Sequence, residues 1–116
     1  MQAYDADRVR GMLAGGALGD ALGAPHEFRC NRGTPYTGRL EHPPFQTTRW
    51  QGRREAPVAS VTDDTEMTIA LLQSLLDEGG YRPDRVLPSY LQWANSGGWM
   101  MGRNIRSLMR GVRTVR

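Results

Sequence analysis

Lysine is absent from this 116-residue chain: all 15 basic residues are arginines, set against 12 acidic ones for a formal net charge of +3. So small an excess does not make a nucleic-acid binder, which concentrates its basic side chains on one surface and adds a reading element or stacking aromatics. Cysteine is nearly absent too. The single Cys30 cannot close an internal disulfide, and the expectation is a reducing, cytoplasmic compartment. No apolar run reaches the length of a membrane span, and Asp5 and Asp7 stand where an ordinary secretory signal carries basic residues. Leu, Ile, Val and Phe are scarce, 21 of 116, a level that can accompany disorder. The low net charge and the periodic placing of those residues argue for a folded chain, with Ala, Gly and Met supplying much of the packing. The length suits one small domain.

What is present is helical periodicity. Residues 5–24 predict a helix capped by Asp5, with Val9, Leu13, Gly16 and Asp20 near one line. Glycines at 11, 15, 19 and 23 each cost about 1 kcal/mol of helix propensity, and the expected return is close approach of another backbone along that ridge. From 29 to 60 the periodicity stops, and prolines and glycines predict a long loop, extended only briefly at 57–61. A second helix is predicted over 63–78, with Ile69, Leu72 and Leu76 facing inward, Leu71 and Leu75 widening the stripe, and Gly79-Gly80 stopping it. A third is predicted over 88–95, opened by Pro88 and burying Tyr90, Leu91 and Ala94. A last helix begins near Arg103, with Ile105, Leu108, Met109 and Val112 inward. Arg103, Arg106, Arg110, Arg113 and Arg116 fall at spacings of three and four on one side of it, either a solvated face or an interaction face. The expected fold class is all-α.

Two acidic features break this pattern. Asp20 shares the stripe of Val9 and Leu13, and a carboxylate turned inward needs hydrogen bonds, a counter-charge or a metal. A structural aspartate held by N–H groups fits equally well. The run Ser60-Val-Thr-Asp-Asp-Thr-Glu-Met opens the second helix. Thr62 or Asp63 can cap it, Asp63 and Glu66 satisfy the capping-box spacing, and acids there meet the positive end of the helix dipole. Those effects account for one or two of the acids. Two adjacent aspartates between threonines also form an all-oxygen donor set suited to a hard cation such as magnesium. Glu27, after Pro25 and His26 beyond the first helix, could sit beside the same ion and activate water. The two histidines and one cysteine make no zinc-site spacing. The glycines match neither a P-loop nor a dinucleotide turn.

Taken together, the stretches from Arg10 to Gly23, Pro25-His-Glu-Phe, Thr62-Asp-Asp-Thr-Glu-Met, Trp93 and Gly102-Arg-Asn-Ile-Arg-Ser-Leu-Met-Arg-Gly resemble the N-terminal part of the ADP-ribosylglycohydrolase family, which includes the enzyme that reactivates ADP-ribosylated dinitrogenase reductase. The resemblance covers nearly the whole chain. It implies an all-helical fold and hydrolysis of the bond between ADP-ribose and an acceptor, with magnesium as cofactor. By that resemblance Thr62, Asp63 and Asp64 are metal ligands, Glu27, Asp63 and Asp64 are catalytic, and Gly102 lies where the diphosphate of ADP-ribose binds. Asp20 supports the site.

Family members are longer, and a second Asp-x-Asp-Thr ligand group completes their two-magnesium centre. These 116 residues contain no such group. The expectation is therefore the N-terminal portion of one such domain, inactive alone, whose partners are an ADP-ribosylated protein or small conjugate and a complementary C-terminal fragment. Two other readings are a non-catalytic, crystallin-like structural relative and a small arginine-rich nucleic-acid-binding module.

Overall fold

The computed structural model describes residues 5–30, 38–39, 45–47, 51 and 53–112. Among the described residues there are four helices: α1 (Ala6–Cys30), α2 (Asp63–Asp77), α3 (Pro83–Asn95) and α4 (Arg103–Gly111). Between α1 and α2 two short strands, β1 (Phe45–Gln46) and β2 (Glu55–Ala56), pair antiparallel with Phe45 opposite Ala56. The architecture is all-α with one minimal hairpin. No helix among the described residues is long and apolar enough to cross a membrane.

Asp5 opens α1 as its pattern predicts: its carboxylate accepts the Asp7 amide at 3.0 Å, satisfying one of the orphan donors of the first turn. The predicted end near residue 24 is wrong, because α1 runs through Pro25 to Cys30. Proline removes one helical hydrogen bond and crowds the preceding turn. Here its ring is fully buried, and neighbouring Ala24 packs in a cluster with Phe45, Ala56 and Met100, against which Trp99 also lies. Apolar burial on this side offsets the lost bond. Glu27 consequently sits within the last turns of α1 and not in a loop beyond it. Nor is the glycine ridge covered: a Cβ placed at Gly11, Gly15, Gly16, Gly19 or Gly23 meets nothing within 4 Å.

The extended segment falls at 55–56, not 57–61. The Thr47 amide donates to the Arg54 carbonyl at 2.9 Å, and the Arg54 amide returns a bond to the Thr47 hydroxyl at 2.8 Å, lengthening the two-residue ladder. Residues 57–60 instead turn, with the Ser60 hydroxyl donating to the Pro57 carbonyl at 2.9 Å. Most of the remaining predicted loop at 29–60 lies outside the described residues.

Thr62 is the N-cap of α2. At the other end Gly79 takes φ +67°, and the Gly80 amide reaches the Leu75 carbonyl at 2.9 Å while the Gly79 amide reaches Leu76 at 3.4 Å. Glycine adopts that left-handed geometry without a Cβ penalty. The buried face of α2 differs from the predicted one. Glu66, Ala70 and buried Ser74 turn toward α3, where Ser89 donates to the Ala70 carbonyl at 2.6 Å. Ile69 and Leu76 lie about 100° and about 120° round the helix from that line and remain 58% and 68% exposed.

Pro83, not Pro88, begins α3. At the first helical position the missing N–H costs nothing, whereas Pro88 sits in the interior and gives up one bond. Tyr90, Leu91 and Ala94 are half-buried. On α4, Ile105, Met109 and Val112 are half-buried while Leu108 is exposed, against its predicted inward position. Arg103 and Arg110 are exposed and Arg106 is half-buried; Arg113 and Arg116 lie outside the described residues.

Candidate acidic site at the start of α2

The site is assembled by Asp20. From the third quarter of α1 its carboxylate accepts four hydrogen bonds from the first turn of α2: the Thr62 amide at 2.8 Å, the Thr62 hydroxyl at 2.7 Å, the Thr65 amide at 3.3 Å and the Thr65 hydroxyl at 2.5 Å. Burial raises its affinity for a proton, but these bonds to the ionised form outweigh burial and lower its pKa. An aspartate donated by another helix thus does much of what a local capping residue does.

Thr62 is buried and works in both directions. Its hydroxyl proton goes to Asp20, and its oxygen accepts the Asp64 amide at 3.3 Å. That leaves one lone pair for a further contact. Asp63, at the first helical position, is half-buried, and its Oδ2 accepts the Gly102 amide at 3.2 Å. Partial burial, then the charges of Asp64 and Asp20, raise its pKa against the opposing effect of the Gly102 N–H. Asp64 is exposed.

Glu27 joins these acids from the end of α1. Its side chain is largely exposed, yet its pKa is raised, first by partial desolvation and then by the negative charges of Asp64, Asp63 and Asp20 in that order. Two stretches far apart in sequence therefore share one field. Among the described residues, no three or more His, Cys, Asp or Glu side chains are grouped closely enough to hold a metal between them. Half-buried Asp63 and exposed Asp64 are oxygen donors of the type a hard cation takes.

Gly102 is the N-cap of α4, and its amide is turned to Asp63, within the acidic cluster. Beside the acids, α1 and α2 flank an open groove of about 570 Å³, whose lining includes Met12, Leu13, Ile69 and Leu72 together with Asp20 and Asp64.

The sequence pattern pointed away from the role of Glu66. Its spacing from Asp63 matches a capping box, but its Oε2 instead accepts the Trp93 indole N–H at 2.6 Å and the Trp99 amide at 2.9 Å. The readable signal was the pair of indoles in the following forty residues, each needing an acceptor once buried. The other indole, Trp99, donates to the Val61 carbonyl at 3.0 Å and lies under the Arg54 guanidinium, 5.7 Å from its centroid.

The ADP-ribosylglycohydrolase family model matches residues 1–116, the whole chain. The chain belongs to this family. No curated protein and no solved structure matches it. Family membership makes it part of a hydrolase family that acts on ADP-ribosyl conjugates.

Proposed function

We propose that this chain supplies Thr62, Asp63, Asp64 and Glu27 to a magnesium-dependent site that hydrolyses the glycosidic bond between ADP-ribose and its acceptor. The observation that supports the reading is the Asp20 carboxylate, seven residues before Glu27 on α1, bonding Thr62 and Thr65 and so docking α1 on the turn that carries Asp63 and Asp64; the Glu27 pKa is raised first by desolvation and then by the charges of Asp64, Asp63 and Asp20. Crowded carboxylates are relieved by binding a cation, and an all-oxygen set favours a hard one. Asp63 has one oxygen on the Gly102 amide, and Asp64 is exposed; the two carboxylates would be the ligands. A bound magnesium ion would orient the ribose hydroxyls and acidify water. In the two-ion centre that the family resemblance implies, Thr62, Asp63 and Asp64 would form the first ligand group, with Glu27 beside it.

Glu27 is the candidate general base: its pKa is raised, first by desolvation and then by the charges of Asp64, Asp63 and Asp20, the direction that helps a carboxylate accept a proton from the attacking water. In the reaction, the water oxygen bonds to the anomeric carbon and the bond from that carbon to the acceptor nitrogen or oxygen breaks. The bonding pair leaves with the acceptor, which takes up a proton. The carboxylates around the site favour the oxocarbenium character of the ribosyl centre. The substrate is an ADP-ribosylated protein or a small ADP-ribose conjugate.

Calorimetric titration of the chain with magnesium tests this reading. Saturable binding is expected, weakened in an Asp63→Ala/Asp64→Ala variant by at least the about 10-fold that even indirect changes to a metal site produce. Equal affinity in both proteins would refute it.

A further inference from the structure

Asp63 is not oriented by its own helix alone. Its Oδ2 bonds the Gly102 amide, and Gly102 lies at the end of a turn that has no regular hydrogen-bond ladder to hold it. That turn is strained and tightly packed. Met100 has φ +55°, Met100 and Met101 are buried, and a Cβ at Gly98 would lie 2.8 Å from Met101 Cε and 3.1 Å from the Trp93 ring. A left-handed methionine persists only where its surroundings fix it.

Several contacts fix it, and Glu66 makes two of them. A single oxygen, Oε2, accepts both the Trp93 indole N–H at 2.6 Å from α3 and the Trp99 amide at 2.9 Å from the turn. The Trp99 indole reaches the Val61 carbonyl at 3.0 Å, one residue before the cap, and Gln51 donates to the Met100 carbonyl at 3.0 Å. Glu66 is three residues along α2 from Asp63, so one helical turn carries both ends of the link: Glu66 holds the start of the turn and Asp63 receives its end.

We propose that Glu66 is a positioning residue for Asp63: by seating Trp93 and Trp99 on α2 it fixes the 99–102 turn and aims the Gly102 amide at the Asp63 carboxylate. The inference rests on the acidic-site reading for its functional weight, but its geometry stands apart from it. What matters is one acceptor oxygen at the right place, not the charge of Glu66. A glutamine, which presents a carbonyl oxygen there, preserves the arrangement, and leucine, which presents none, abolishes it.

The test uses the full 116-residue chain, ¹⁵N-labelled, as wild type, Glu66→Gln and Glu66→Leu. Hydrogen exchange at the Gly102 amide is followed first, and magnesium affinity second. Glu66→Leu is expected to cut Gly102 protection about tenfold or more and to weaken magnesium by about 10-fold to 100-fold, as outer-shell changes do. Glu66→Gln is expected to keep both within about threefold of wild type, on the same outer-shell scale. Should Glu66→Leu lose its far-UV helicity, Trp93→Phe removes one of the two donors and is expected to give a partial loss of Gly102 protection. Unchanged protection in a folded Glu66→Leu, or in Trp93→Phe where the leucine variant unfolds, overturns the proposal, as does loss in Glu66→Gln equal to that in Glu66→Leu. Loss of protection in Glu66→Leu with no magnesium binding by any form would uphold the positioning role and refute the metal reading instead.

Discussion

The Asp20 carboxylate and the Thr62 hydroxyl, 42 positions apart in sequence, are joined by a 2.7 Å hydrogen bond. Three further bonds to the same carboxylate, from the amides of Thr62 and Thr65 and from the Thr65 hydroxyl, make one side chain the tie between α1 and α2. Position, capping and charge of the acidic cluster all follow from it. Glu27 can share a field with Asp63 and Asp64 only while α1 stays docked on the start of α2.

Removing the tie should be costly. Asp20→Ala strands two hydroxyls and two amides that now bond a charged acceptor, and bonds of that kind contribute about 1.5–3 kcal/mol. A destabilisation of about 2–3 kcal/mol is expected in urea unfolding. Asp20→Asn keeps one carbonyl oxygen and should fall between the two.

Thr62→Ala should cost about 1 kcal/mol through loss of the N-cap, and Thr62→Ser should recover most of it. Circular dichroism of the pair under denaturant separates the hydroxyl's role from that of the methyl group.

Stability should pass through a maximum as pH falls. Glu27 and Asp63 have raised pKa values, so each contributes stability when protonated, gained as pH drops through its folded pKa. Asp20 is lowered, so its contribution is present above its ordinary value and is lost as pH drops through its folded one. Thermal unfolding is expected to rise in midpoint just above the ordinary carboxylate range and to fall steeply below it. In Asp63→Asn the acid-side rise should shrink, because one of the two groups that produce it no longer titrates.

The glycines of α1 yield a prediction opposite in sign to the first reading of their spacing. With open space at each ideal Cβ, Gly11→Ala, Gly15→Ala and Gly19→Ala should each raise stability by about 1 kcal/mol in this chain. Gly98→Ala, crowded by Met101 and Trp93, should lower it. Thermal denaturation of the four variants checks both signs.

The helices were legible because their apolar spacing and their stop signals are local. Asp5, Thr62, Gly79 and Gly80 behave as their positions along the chain require. Both errors of helix extent concern proline: Pro25 lies inside α1 where apolar burial holds it, and Pro83 rather than Pro88 opens α3. Neither is decided by local sequence, since each depends on what packs against the ring. Burial was misread on α2 because Ile69 and Leu76 look like core residues, while the face that meets α3 carries Glu66, Ala70 and Ser74. Among the acids, Asp63 and Asp64 stood out through their adjacency. The function of Glu66 did not, because the capping-box spacing gave it a local explanation that the tertiary structure replaces.

Paramagnetic broadening by manganese(II), titrated into the ¹⁵N-labelled chain, tests the central claim most directly, because it reports which backbone amides lie around one ion. Broadening of the amides at 27 and at 62–65 together, at the same low metal concentration and reversed by excess magnesium, is the predicted result. Broadening confined to α2, or spread equally over exposed acids such as Asp7, Asp77 and Asp84, would contradict a shared site.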